Sequence, residues 1–244
     1  MFILSHMMMM GMGPTGGDGN IPTLSYTTNL KVKLMAHAES YANDDVMGTL
    51  TDQSGNGNNF TQAVAGNKGT FKTGILNGLA AYYFPDNARY YTSSYNLDDS
   101  KSVSCFFVFK AEANEVNVIT GTADSVLNLS GFPANTTWRT WSNGSGNLYD
   151  ATVTDNTGAF YYYSLIMSEN TGANGTTNYR QSATDKGTSG SRTRGVSTLL
   201  SVGDAFVGTQ GFQGWLCELL VYEEAVSGGN LTTVESYLAS KYGL

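Results

Sequence analysis

The sequence is short of charge. Only 14% of its 244 residues are Asp, Glu, Lys or Arg, against about 25% in an ordinary soluble chain. The shortage is greatest for cations: 13 Lys plus Arg face 20 Asp plus Glu, a formal net charge of −7. Nucleic-acid binding needs a basic face to neutralise phosphates. With no basic cluster, nucleic acid is not an expected partner, and neither is an anionic membrane surface. No apolar run reaches the ~18 residues of a membrane-spanning helix, so none is expected. Histidine and cysteine number two each. Cys105 and Cys217 cannot form a metal site alone. Both lie in apolar strand-like runs and read as small core residues, with a disulfide open only if their strands adjoin.

What replaces charge is Thr, Ser, Asn and 29 Gly. These are poor helix formers but good turn and strand-surface residues. A helical bundle is therefore not expected, and neither is a coiled coil. Aromatic residues make up 12% of the chain, 15 of them Tyr, which favours an ordered fold. The length suits one all-β domain.

The chain divides in two. Residues 1–20 form an apolar, Met- and Gly-rich N-terminal arm. Its apolar residues are Met1, Phe2, Ile3, Leu4, Met7, Met8, Met9, Met10 and Met12. It lacks the basic n-region, the long apolar run and the cleavage site of a signal peptide. Residues 11–20 read as a flexible tether. An apolar tip on a tether is costly to leave in water, and Met adapts to irregular grooves. The arm is expected to dock on a partner subunit.

Residues 21–244 read as strands and turns. Leu30, Val32 and Leu34 alternate with Lys31 and Lys33, a half-buried strand. Asp52 to Asn59 is a dense turn. Residues 74–84 read as a turn entering a strand. The stretch from Val103 to Phe109 is apolar on both faces, as a central strand would be. Tyr161–Met167, Leu199–Gly203 and Trp215–Tyr222 are further strands, and residues 168–197 read as a hairpin with a long exposed loop. Near the end the period changes. Leu231, Val234, Leu238 and Tyr242 recur at helical spacing, with Ser227 or Asn230 as cap and Gly243 beyond the end. The expected fold is an all-β, two-sheet antiparallel jelly-roll sandwich with a short C-terminal helix and an extended N-terminal arm.

Three blocks carry a family resemblance. The stretch from Gly203 through Gly211-Phe212-Gln213-Gly214-Trp215-Leu216-Cys217-Glu218 to Tyr222 is similar to the closing block of concanavalin A-like, laminin-G-like jelly rolls. The tail Val234-Glu235-Ser236-Tyr237-Leu238 to Leu244 resembles that of their bacterial and phage members. Asp52-Gln53-Ser54-Gly55-Asn56-Gly57-Asn58 matches their turn after the first strand. The resemblance spans about nine tenths of the chain, with the middle matching only in pattern. It implies the sandwich. One departure is His37, which stands where relatives often carry an Asp; an ion role for that Asp in relatives is in doubt here. Glu218 lies among apolar neighbours. If buried it must be hydrogen-bonded, and backbone near the turn is the expected partner.

Glycoside hydrolases share this fold and need two carboxylates roughly 5–10 Å apart. Their Glu-x-Asp-x-x-Glu strand is absent. Glu112 and Glu115 fall in a loop-like segment, and Glu223-Glu224 ends a strand. There is no Gly-x-Ser-x-Gly elbow. No catalytic residue is expected, and no cofactor. Asp44, Asp45, Asp52, Asp98 and Asp99 are the candidates for a calcium ion, though acidic turn residues are usually only solvated. The Asn-x-Ser/Thr sequons follow from composition. A glycan-binding surface is open at Trp138, Arg139, Trp141 and Asn143, with core packing as the alternative; Tyr90, Tyr91 and Tyr95 carry the same ambiguity. The leading expectation is a non-enzymatic phage virion structural protein, a capsid decoration or a head or tail fibre component. It would bind other virion proteins through its arm and assemble as a homo-oligomer, a trimer being one closed form. The alternative is a secreted or cell-surface adhesion module that recognises a host glycan.

Overall fold

The computed structural model describes residues 21–86, 88–97, 101–112, 116–117, 119–121, 128–132, 137–142, 146–152, 158–168, 176–188, 198–203 and 212–244. Between residues 113 and 157 it describes only the backbone of the strands. The first strands are β1 (Leu30–Met35), β2 (Thr49–Leu50), β3 (Phe60–Thr61), β4 (Thr70–Leu76), β5 (Leu79–Phe84) and β6 (Tyr90–Leu97). Then come β7 (Val103–Ala111), β8 (Val116–Asn117), β9 (Ile119–Gly121), β10 (Asn128–Phe132), β11 (Thr137–Ser142) and β12 (Gly146–Thr152). The last are β13 (Tyr161–Met167), β14 (Thr177–Gln181), β15 (Thr184–Thr188), β16 (Thr198–Gly203) and β17 (Gly214–Tyr222), followed by helix α1 (Gly228–Tyr242).

The strands form a large sheet in the order β15-β14-β13-β7-β17-β5-β4, with β1 also paired to β17. A second sheet runs β2-β3-β6-β16-β9, and a smaller one β12-β11-β10-β8. The pairings are antiparallel, as hairpin and Greek-key connections allow. Strand β17 divides one edge between two partners: Gly214 to Leu216 pair with β5, and Glu218 to Tyr222 pair with β1. The small sheet was not foreseen as a separate unit.

The apolar pattern explains the layers. Alternation in β1 buries Leu30, Val32 and Leu34. Strand β7 is buried on both faces, as its unbroken apolar run requires. One face packs Val103, Cys105, Phe107 and Phe109 against Phe60, Tyr91, Leu200 and Val202 of the second sheet, making the sandwich core. The outer face presents Phe106 and Val108, with Cys217, Leu220 and Tyr222 of β17, to α1. The helix buries Val234, Tyr237, Leu238 and Tyr242 there, and Gly243 ends it in the left-handed conformation (φ 69°). Ser227 occupies the N-cap position but its hydroxyl caps no backbone amide.

The cysteines sit on adjoining strands, yet both are free thiols. Cys105 is paired with Val221, four positions from Cys217, and the two face opposite layers. The segment 74–84 is a full hairpin rather than one strand after a turn. Its reversal is Asn77-Gly78, both at positive φ (50° and 76°). The hairpin expected within 168–197 is β14–β15, turned at Ser182-Ala183. Gly214 is obligatory where β17 begins: at its φ of 150° a Cβ would lie 2.2 Å from the Lys110 carbonyl oxygen.

Candidate functional site

The acidic residues are mostly committed to the scaffold. Asp52 organises the Ser-Gly-Asn-Gly turn. Its carboxylate accepts from the amides of Lys33 (2.9 Å), Ser54 (2.9 Å) and Asn58 (2.9 Å) and from the Ser54 hydroxyl (2.8 Å). Gly55 and Gly57 supply the positive φ that this turn needs (90° and 74°). Asp44 pairs with Lys72, and Asp45 accepts from the Ala42 amide. Glu224 accepts from the Tyr26 hydroxyl at 2.5 Å, and Glu223 pairs with Lys31. Asp98, Asp99 and Glu115 lie outside the described residues. Among the described residues, no three His, Cys, Asp or Glu side chains gather as metal ligands.

Glu218 is buried, as expected, but its partners are side chains of α1 rather than turn backbone. Lys241 Nζ lies 2.5 Å from Oε2, with both side chains at 0% exposure. The Tyr237 hydroxyl donates to Oε1 (2.8 Å) and the Tyr242 hydroxyl to Oε2 (2.9 Å). Burial lowers the Lys241 pKa, and Glu218 opposes that shift. Burial, then the Glu218 charge, pushes both phenols up, so they remain donors. Beside them His37 keeps a buried Nδ1 with no hydrogen-bond partner. Its pKa is lowered to about 4 by burial, then by Lys241 and Lys33. A second clamp joins α1 to β14: Arg180 Nε meets Glu235 Oε1 at 2.7 Å, and the Ser164 hydroxyl donates to the same oxygen at 2.8 Å. Glu218 and Glu235 are buried, with each carboxylate engaged by several side chains. They hold the helix.

Three of the proposed glycan residues share one strand. Trp138, Arg139 and Trp141 lie on β11, in register with Ala151, Asp150 and Asn147 of β12; their side chains, and Asn143, lie outside the described residues. Tyr91 is fully buried, donating to the Met47 carbonyl (2.9 Å) and accepting from the Gly69 amide (2.8 Å). It is a core residue. Tyr90 and Tyr95 are half-buried.

An aromatic row that the sequence did not single out lies on the outer face of the large sheet, beyond α1. Trp215 of β17 is in register with Tyr83 of β5 on one side and Lys110 of β7 on the other. Phe160 precedes β13 on the far side of Lys110. The Tyr83 and Trp215 rings are 4.3 Å apart, tilted by 31°. Lys110 Nζ sits 5.2 Å from the Trp215 ring and 5.3 Å from Phe160. Glu112, exposed just past β7, fixes the pair: Oε1 accepts from Trp215 Nε1 (2.5 Å) and Oε2 from the Tyr83 hydroxyl (3.0 Å). Burial and then Glu112 raise the Tyr83 pKa. Tyr83, Trp215 and Phe160 are each half-buried, so the row is pre-organised and in part open to solvent. Parity held the clue: Tyr83 shares a strand face with Ala81, and Trp215 with Cys217, opposite to the inward Tyr82 and Leu216.

No protein-family model and no curated protein matches the chain. Solved structures do. The binding domain of botulinum neurotoxin serotype D aligns with TM-score 0.53 at 10% identity, over 86% of this chain and 51% of that one. An arabinofuranosidase complexed with arabinofuranosyl-alpha-1,2-xylobiose gives 0.54 at 15% identity, over 81% and 51%. The sialidase of Trypanosoma rangeli gives 0.57 at 12% identity, over 90% and 34%. The chain has a jelly-roll-like β-sandwich fold. This sandwich spans about half the length of the toxin domain and the arabinofuranosidase, and a third of the sialidase.

Proposed function

We propose that this sandwich is a non-catalytic, concanavalin A-like binding module that recognises a glycan through the row Tyr83–Trp215–Phe160. The observation that carries the reading is the row itself: rings locked by Glu112 and Lys110, with half-exposed surface. A pre-positioned Trp or Tyr presents a large rigid face at little entropic cost, which suits the C–H-rich face of a sugar. Glu112 and Lys110 supply hydroxyl partners at the margin. The names of the similar structures, toxin binding domains and carbohydrate-active enzymes, support this reading. The non-catalytic part rests on Glu218, Glu235 and Asp52 being saturated by structural partners. A panel of soluble oligosaccharides tests it by calorimetry. A ligand should bind the parent protein and be lost in Trp215→Ala while the fold persists. Binding that survives Trp215→Ala but is lost in Trp138→Ala or Trp141→Ala would move the site to β11.

A second reading concerns the setting, a phage virion part anchored by residues 1–20. The residues that follow this arm are firmly tied: Leu24 is buried in the outer-face cluster, and Tyr26 stacks on Tyr222 with ring centroids 5.6 Å apart. A firm base is what an anchoring arm requires. Deleting residues 1–20 should abolish assembly with virion partners, and any homo-oligomer the arm supports, and leave glycan binding intact. Full-affinity assembly of the truncated chain would sink the anchor.

A further inference from the structure

We infer that the row takes an acidic glycan, an inference that rests on the glycan reading: a carboxylate or sulfate ester of the sugar is held by Lys110, between Trp215 and Phe160.

The charged side chains at the row differ in what they already hold. Glu112 uses both oxygens, one for Trp215 Nε1 and one for the Tyr83 hydroxyl. Lys72, whose Nζ lies 5.8 Å from the Tyr83 ring, is paired with Asp44. Lys110 makes no ion pair and no side-chain hydrogen bond among the described residues. Its Nζ lies 5.2 Å from the Trp215 ring and 5.3 Å from that of Phe160. Ring faces attract a cation but leave its N–H donors without a charged acceptor. The side chain is half-buried, so water screens its charge less than that of a fully solvated lysine. An anion brought to this point meets a cation that no described carboxylate neutralises.

The two signs are also kept apart. Glu112 follows Lys110 closely in the chain, yet the two do not pair. Its carboxylate reaches across β17 toward β5, onto Trp215 and Tyr83. Phe160 flanks Lys110 from the opposite side, just before β13 pairs with β7. An anion seated between Lys110 and Phe160 is therefore on the side away from Glu112. A sugar acid suits this arrangement, because its C–H face meets the rings while its charged substituent stands at the ring's margin. A neutral sugar offers Lys110 hydroxyls alone, which are weaker acceptors than an ionised oxygen.

Matched pairs of oligosaccharides test this by calorimetry on the full chain. Hexuronate and sialylated oligosaccharides are compared with their carboxyl-reduced forms, and sulfated galactans with their desulfated forms. The tightest ligand should be acidic and should bind about tenfold more tightly than its neutral counterpart. Lys110→Met, which keeps an apolar stem between the rings, should bring the acidic ligand down to the neutral one. Lys110→Arg should keep the preference, added salt should narrow it, and Trp215→Ala should remove binding of both forms. Whether a carboxylated or a sulfated member leads names the group on Lys110. A neutral ligand that binds as tightly as its acidic counterpart, and is lost in Trp215→Ala, overturns the acidic inference and leaves the glycan reading standing. A preference that survives Lys110→Met overturns it as well. Absence of binding across all the pairs overturns both.

Discussion

The two ends of one sheet face have opposite fates. Toward the middle of the outer face, β17 offers Glu218, and α1 closes over it with Lys241, Tyr237 and Tyr242. At the strand's beginning, only three residues away, Trp215 meets Tyr83 and stays half-buried. Both ends use a carboxylate to fix aromatic groups. At the covered end the carboxylate is dry and needs a full cation; at the open end Glu112 is exposed and needs none. Water decides which arrangement is stable: a buried charge without its partner costs several kcal/mol, whereas a solvated one costs little.

The largest test of this contrast is Lys241→Met. It leaves Glu218 buried with phenols alone, and should cost about 3–5 kcal/mol in denaturant unfolding. Adding Glu218→Leu should recover most of that loss, since replacing a whole buried pair by apolar groups is often close to neutral. A loss under 1 kcal/mol for the single change, on the order of a surface pair, would show that the cluster is not sealed. At the open end Trp215→Ala should cost about 1–2 kcal/mol, because the ring is half-exposed and Glu112 regains water. A loss equal to that of Lys241→Met would remove the contrast.

Another effect is on pH dependence. His37 beside the covered end has its pKa depressed from 6.5 to about 4. Between those values the unfolded chain takes up a proton that the folded imidazole refuses, so stability falls as acid is added. Above pH 6.5 both states are neutral and the residue contributes no slope. His37→Gln should therefore flatten the midpoint between pH 6.5 and about 4. An unchanged slope would mean that another group is responsible.

The strands that form the core were legible because alternation and all-apolar runs are local properties. The helix was legible by its period and by Gly243. The covered end was half legible. Glu218 among apolar neighbours announced a buried charge, but its cation lies 23 residues away. Lys241 does fall on the helix stripe of Val234, Tyr237 and Leu238, a polar residue in an apolar row, and that was the missed sign. The open end was not legible. Tyr83, Lys110 and Trp215 are brought together by strand order, β5 beside β17 beside β7, and no local pattern states which strands are neighbours. Trp138 and Trp141 are conspicuous in sequence, and their side chains lie outside the described residues.

Lys241 also sets a schedule. During synthesis the ribosome makes the Glu218 carboxylate 23 residues before its cation. At about 5–20 residues per second, the nascent chain waits roughly one to five seconds before the amine exists. The outer layer over β17 therefore cannot seal while the sandwich is being made, however early its strands pair. Nascent chains halted between the two positions should leave the outer face of β17 unprotected, because Glu218 then has no cation.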